Sequence, residues 1–347
     1  MPAKGKRTRT LELIDTQAGG DVSRVVISGV EALPGDSVDA QKNHLEQYGD
    51  GLRRLLLSEP YGEPSQSVNL VVRACDPEAQ AGYIIMEAMG YPMYSGSNTI
   101  CTATTLLQTG RIPLQQGLQT VLLESPAGVA RIQARCSGGL VQSVTTQGEP
   151  AYLAVPHLAV DVPRYGKVRY DVVWSGGFYA MIDAAEQGFS LLGEEESSLA
   201  AFAYAFVKAA RPEFRERPGF DADEPLPFVH FMGPVEGGDD GRLRARSATY
   251  VHPDVVCRSP TGTGTSARLA LMAERGEMEP GQELETISPR RNRFTGHLVD
   301  AHRIHGQRGW DTRITGRARI LARSHVQIDL DDPLVESTDL ENILTAG

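Results

Sequence analysis

The sequence predicts an α+β fold made of two related lobes, and three observations support this prediction. The chain has 347 residues, which is enough for two domains of ordinary size. Short apolar runs bounded by glycine or Asp-Pro turns outnumber the helical patterns. One loop and helix element occurs twice, which indicates that the two lobes share a common plan.

Strands are predicted where β-branched and apolar residues cluster between turn signals. These runs lie at residues 24–28, 68–74, 83–86, 120–124, 129–134 and 140–145. Helices are predicted where apolar residues recur at helical spacing. They lie at residues 40–57, 99–108, 197–210 and 265–275, the first after a turn at 34–37. The mixture favours strands that wrap around a few helices.

The repeated element begins with a hydroxyl residue, a glycine and a second hydroxyl residue. Its first copy starts at Ser95 and its second at Thr261, and the copies align without a gap. Each continues into an alanine- and leucine-rich body and stops at a glycine, Gly110 or Gly276. Helix N-termini offer unpaired N–H groups, and glycine allows a ligand to approach the backbone. Two such entries across one cleft would bind a small carboxylate; alternatively, both are capped helices without a ligand.

Composition and motif spacing exclude several classes of function. The 41% hydrophobic and 22% charged content is typical of a globular protein, and the net charge of -10 argues against a nucleic-acid partner. No apolar run has the length of a membrane span or signal peptide, so a cytoplasmic protein is expected. The 4 cysteines lie far apart, which predicts reduced thiols. His302 and His305 are assigned to a surface strand, and no metal site is predicted.

Short motifs along nearly the whole chain resemble the proline racemase superfamily, which includes proline racemases, hydroxyproline epimerases and trans-3-hydroxyproline dehydratases. They lie at residues 14–20, 33–36, 59–62, 75–79, 125–128, 176–180, 258–260 and 294–296, besides the repeated element. The resemblance implies the fold of diaminopimelate epimerase, with two pseudo-symmetric lobes that each wrap a curved sheet around a central helix. It also implies a homodimer that uses no cofactor.

The resemblance places the first lobe at residues 1–155 together with 323–347, and the second at 156–322. The C-terminal segment then returns to complete the first lobe. The basic N-terminal residues 1–9 are predicted to be a disordered tail.

At the site, the resemblance aligns the two catalytic cysteines of the racemases with Ser95 and Thr261. A histidine and an aspartate that the family places near the substrate nitrogen correspond to Ser97 and Cys257. The carboxylate cradle is retained, so the predicted substrate-binding residues are Gly96, Ser97, Asn98, Cys257, Gly262, Thr263 and Gly264.

Loss of both thiols bears on the reaction, because a hydroxyl needs an adjacent base where a thiol can ionise by itself. No base is identified in either loop. The family's dehydratases carry threonine at the second position, as this chain does at Thr261, which favours a trans-3-hydroxy-L-proline dehydratase-like lyase. A proline racemase or hydroxyproline 2-epimerase and a catalytically silent carboxylate binder remain alternatives. Cys257 is either a relocated base or a small buried thiol.

Overall fold

The computed structural model describes residues 7–215, 226, 228–238, 242–253, 255–304 and 306–345. The strands, in chain order, are β1 Thr8–Ala18, β2 Asp21–Ser28, β3 Ser67–Val72, β4 Ala81–Met86, β5 Gly117–Ser125, β6 Gly128–Ser137, β7 Leu140–Gln147, β8 Tyr152–Val162, β9 Gly166–Trp174, β10 Phe178–Asp183, β11 Phe228–Gly237, β12 Leu243–Val251, β13 Val255–Val256, β14 Glu283–Ile287, β15 Arg293–Ile304, β16 Gln307–Gly316 and β17 Ala318–Asp329. The helices are α1 Val38–Tyr48, α2 Gly51–Leu56, α3 Gly96–Gln108, α4 Glu196–Arg215, α5 Gly262–Glu274 and α6 Ser337–Glu341.

The chain divides into two compact units. The first comprises Met1–Thr146 and Arg317–Gly347, and the second Gln147–Gly316. The boundaries expected from the sequence lie later, at 155/156 and 322/323. The structure assigns β17 to the first unit as a whole, because β17 pairs along its length with β1.

In the first unit, the strands form one mixed sheet. The order is β17, β1, β2, β3, β4, β5, β6 and β7; the β2–β3 and β4–β5 pairs are parallel, and the others are antiparallel. Helices α1 and α2 contribute leucines to an apolar core with β1 to β4 and the C-terminal segment. Helix α3 contacts β1, β2, β3 and β17.

The second unit repeats this plan strand for strand. Its order is β8, β9, β10, β11, β12, β14, β15 and β16; β10–β11 and β12–β14 are parallel, and the remaining neighbours are antiparallel. Helix α4 packs its aromatic face on one apolar core, and α5 packs into another. The α+β fold with two pseudo-symmetric units, each a sheet around a central helix, is therefore confirmed.

The two central helices, α3 and α5, correspond to the repeated element of the sequence. Each has 13 residues, and nearly all of them are buried. Each ends at a glycine with positive φ, Gly110 at 76° and Gly276 at 71°, which is the helix stop expected from the sequence. None of the helices in the described ranges is both long and apolar enough to cross a membrane.

The structure corrects two local predictions. The helix predicted at residues 40–57 is two helices, because the chain breaks at Gly49, whose N–H caps α1 at the Leu45 carbonyl. The predicted disordered tail is too long, because Thr8 and Arg9 pair with Asp329 and Ile328 as the first residues of β1. Residues 1–6 of that tail, and His305 of the histidine pair, lie outside the described residues; His302 is in β15.

Candidate active site

The entries of α3 and α5 have the same pattern of exposure. Ser95 and Thr261 lie immediately before the first helical residue and are half-buried. The next glycine in each copy, Gly96 or Gly262, is buried, and the following hydroxyl residue is again half-buried. Neither Ser95 nor Thr261 caps its helix with its own side chain. Their hydroxyl groups are thus available for other contacts.

In the first unit, the Ser95 hydroxyl is held by Asn98. The Asn98 Nδ2 donates to Ser95 Oγ at 3.1 Å, and Ser97 Oγ lies 3.4 Å from the same oxygen. Asn98 is itself fixed, since its Oδ1 accepts from Ser23 Oγ at 2.7 Å. The Asn98 side chain is only 2% exposed. It therefore orients Ser95, while the Asn98 contribution to a carboxylate cradle would come from its backbone.

A carboxylate, Glu87, completes this first entry. The Asn98 Nδ2 also donates to Glu87 Oε1 at 3.1 Å, and Ser67 Oγ donates to the same oxygen at 2.9 Å. Burial raises the pKa of Glu87, and the negative charge of Asp21 adds to this effect, against the two hydrogen bonds that lower it. A carboxylate with a raised pKa is a better proton acceptor than an ordinary one.

In the second unit, the Thr261 hydroxyl lies at the end of a chain of polar groups. Its Oγ1 donates to the Pro260 carbonyl at 2.7 Å and lies 2.7 Å from Thr249 Oγ1 in β12. Thr249 Oγ1 in turn lies 2.8 Å from Nδ1 of His230 in β11. Thr261 has a φ of 59°, a left-handed conformation that is costly for a β-branched residue. Such strain is often found at functional positions.

His230 is fully buried, at 0% exposure. Burial, assisted by the positive charge of Arg268, lowers the pKa of His230 to about 3, so its imidazole is neutral at physiological pH. Within the described part of the chain, its Nε2 has no hydrogen-bond partner. His230 and Thr249 are brought together because they are directly paired residues of neighbouring antiparallel strands.

The remaining predicted residues of the second entry lie around this chain. Thr263 Oγ1 is 2.5 Å from the Tyr179 hydroxyl. Gly264 lies against Thr261, Thr249 and His230, where a side chain would have no room. Cys257 is half-buried after β13, and its N–H donates to the Thr249 carbonyl at 2.8 Å.

A separate surface cavity of about 920 Å³ in the second unit is lined by residues such as His157, Asp171 and Arg275. It includes none of the predicted site residues. The geometry of the helix entries, and not the volume of this cavity, therefore defines the candidate site.

Comparison with known proteins assigns the chain to a family. The family model for proline racemase matches residues 13–338. The chain belongs to the proline racemase family. A protein of Chromohalobacter salexigens is 53% identical over 340 residues, covering 97% of this chain and 94% of that relative.

Two solved structures of proline racemase family type share the fold. The probable proline racemase from Agrobacterium radiobacter K84, with bound carbonate, is 30% identical with a TM-score of 0.82 and covers 94% of this chain and 95% of its own. The hydroxyproline epimerase from Agrobacterium vitis, with bound trans-4-hydroxy-L-proline, is 31% identical with a TM-score of 0.81. The match covers 96% of this chain and 98% of the epimerase chain.

Three polar residues around the entries of this family member were missed in the sequence. Glu87 directly follows the buried run of β4, and Thr249 lies within the buried run of β12. His230 interrupts the apolar start of β11, Phe228-Val229-His230-Phe231, and a lone histidine in such a run was the available signal. The two loops themselves contain no base, whereas these three residues lie in or next to strands.

Proposed function

We propose that this proline racemase family member is a lyase that removes water from trans-3-hydroxy-L-proline. The hydrogen bonding of Thr261 supports this proposal best. A hydroxyl has one proton, and that of Thr261 is directed to the Pro260 carbonyl. In the contact with Thr249, Thr249 is therefore the donor. Thr261 can thus donate its proton, while its Oγ1 accepts a hydrogen bond from Thr249.

This arrangement suits proton donation better than proton abstraction. When Thr261 gives its proton to a departing hydroxyl group, negative charge develops on its Oγ1. The hydrogen bond from Thr249 then becomes charge-assisted and stronger, which stabilises that charge. As a base, Thr261 would first have to lose its proton, and Thr249 already directs its own proton towards Thr261.

In the proposed reaction, a base removes the α-proton, and the electrons of that C–H bond form a double bond between the α- and β-carbons. The bond from the β-carbon to its hydroxyl group breaks, and that group leaves as water with the proton of Thr261, whose hydroxyl turns from the Pro260 carbonyl to the departing oxygen. The resulting enamine becomes a cyclic imine when the nitrogen proton moves to the β-carbon. The proton held by the base returns to Thr261 through solvent, so the net change is the loss of one water.

We assign removal of the α-proton to the entry of α3. The family resemblance puts Ser95 in the position of the first catalytic cysteine, beside the substrate α-carbon, and the Asn98 amide that bonds its Oγ also bonds Glu87. The proposal assigns Glu87, with its raised pKa, as the final acceptor of that proton, which would reach it through solvent because the Asn98 amide donates to both groups and relays no proton. The proposal requires that Ser95 and Thr261 act on the same substrate molecule.

The second candidate is a hydroxyproline 2-epimerase or proline racemase. It is favoured by the 31% identity to the Agrobacterium vitis hydroxyproline epimerase, whose structure contains trans-4-hydroxy-L-proline. An epimerase needs a group on each face of the α-carbon that both takes and returns a proton. The hydrogen bonding of Thr261 supports only the donating half of that role.

One experiment separates these functions. The protein is incubated in deuterated water with trans-3-hydroxy-L-proline, trans-4-hydroxy-L-proline or L-proline, and each reaction is followed by NMR. We expect consumption of trans-3-hydroxy-L-proline and release of a cyclic imine without accumulation of the α-carbon epimer. Formation of α-deuterated cis-4-hydroxy-D-proline or D-proline would instead identify an epimerase or racemase. An unchanged α-proton in all three substrates would refute both functions.

A further inference from the structure

We propose that His230 is a positioning residue that fixes the direction of the Thr261 proton through Thr249. The inference rests on the proposed function, in which Thr261 is the proton donor. His230 has no direct contact with the reacting group in this scheme. It acts by determining which of two hydroxyl groups donates to the other.

The inferred direction of the Thr261 proton implies one tautomer of His230. The Thr261 proton goes to the Pro260 carbonyl, so the Thr249 proton goes to Thr261 Oγ1. Thr249 then has no proton left for the imidazole, and Nδ1 of His230 must be the donor at 2.8 Å. The neutral ring therefore carries its proton on Nδ1, and Nε2 is a bare acceptor.

The surroundings of Nε2 agree with this tautomer. Within the described residues Nε2 has no partner, and a bare nitrogen there avoids a buried N–H group without an acceptor. The nearby Arg268 is 2% exposed and directs its guanidinium to the Gly233 carbonyl at 2.5 Å and the Arg246 carbonyl at 2.8 Å. Its positive charge opposes a second proton on His230.

A buried imidazole with one unpaired nitrogen costs stability, and a positioning role explains why such a group is present here. The local packing makes room for this group, because Gly264 lies where a methyl group would come within 2.6 Å of His230 Nδ1 and 2.9 Å of Thr249 Oγ1. The absence of a side chain at this helix position keeps the three polar groups in contact. The site is thus built around the His230, Thr249 and Thr261 chain.

Kinetics on trans-3-hydroxy-L-proline test the inference with matched pairs. His230→Leu and Thr249→Val should each lower kcat by about 10- to 100-fold with little change in KM, because the chain strengthens only as charge develops on Thr261. His230→Asn should restore most of kcat, since its amide N–H can replace Nδ1–H, and Thr249→Ser should retain the rate. The control Thr312→Val removes an equally buried hydroxyl, bonded to Ser266 of α5 at 2.7 Å, and should keep kcat.

A leucine variant that keeps the parent kcat, or an asparagine variant no better than the leucine variant, would overturn the inference. Folding of His230→Leu is checked by its melting temperature, which should not fall far because the change removes an unpaired buried nitrogen.

A spectroscopic measurement without substrate separates failure of this inference from failure of the proposed function. In protein labelled with ¹⁵N-histidine, the ring nitrogens report which one is protonated, and His230→Asn assigns the signal among the 8 histidines. A proton on Nδ1 of His230 in the parent protein would support the inference even if the protein dehydrates no substrate. Absence of dehydration would refute only the proposed lyase function. A proton on Nε2 would overturn the inference whatever the activity.

Discussion

Replacing His230 by leucine should make the protein more resistant to acid unfolding. The folded-state pKa of His230 is about 3, against 6.5 in the absence of the fold. Between these values the unfolded chain binds a proton at this residue and the folded chain does not. The contribution of neutral His230 to the free energy of unfolding is therefore fully present above pH 6.5. It is lost as pH falls towards 3, at about 1.4 kcal/mol per pH unit. The leucine variant lacks this loss.

The expected magnitude is measurable by urea denaturation at pH 7 and pH 5. At pH 5, one and a half units below the unfolded-state pKa, the parent should have lost about 2 kcal/mol more than His230→Leu. Thr312→Val, which changes no titratable group, should differ from the parent by the same free energy at both pH values. Equal losses in the parent and His230→Leu would refute a buried neutral imidazole and the hydrogen-bonded chain built on it.

Two further substitutions test the two helix entries. Gly264→Ala adds a methyl group that would overlap Thr261 Oγ1. It should lower the dehydration rate by at least about tenfold and the free energy of unfolding by about 1–3 kcal/mol. The control Gly237→Ala, whose methyl group would contact no other atom, should change neither quantity. Glu87→Gln should slow α-deuterium exchange. As pH rises from 4.5, the parent should lose stability relative to Glu87→Gln, because the raised pKa of Glu87 means that its ionisation opposes folding. A difference in unfolding free energy that stays constant between about pH 4 and pH 8 would contradict this.

The features that could be predicted from the sequence are those with local causes. The entries at Ser95 and Thr261 follow from the hydroxyl and glycine pattern and the helical spacing after it, and both helices begin within a few residues of the predicted positions. Six strands of the first unit, β2 to β7, were also recognisable, because each contains a short apolar segment between turns. The order in which these strands pair has no comparable local signal.

The polar groups beneath the entries depend on non-local pairing. His230 and Thr249 are opposite each other only because β11 and β12 pair in that register. Thr261 contacts Thr249 only because the segment that leads into α5 returns to β12. Glu87 likewise reaches Asn98 across the turn between β4 and α3. Gly49, which ends α1, lies close to Ile343 near the C-terminus, a contact that no local pattern predicts.

The most direct test of Thr261 as the proton donor is the rate of water loss from trans-3-hydroxy-L-proline by Thr261→Val in deuterated water. Valine keeps the shape of threonine and removes its proton. We expect the variant to lose dehydration by about 100-fold or more while still placing deuterium at the α-carbon, because Ser95 and Glu87 are intact. Dehydration by Thr261→Val at the parent rate would contradict the proposal.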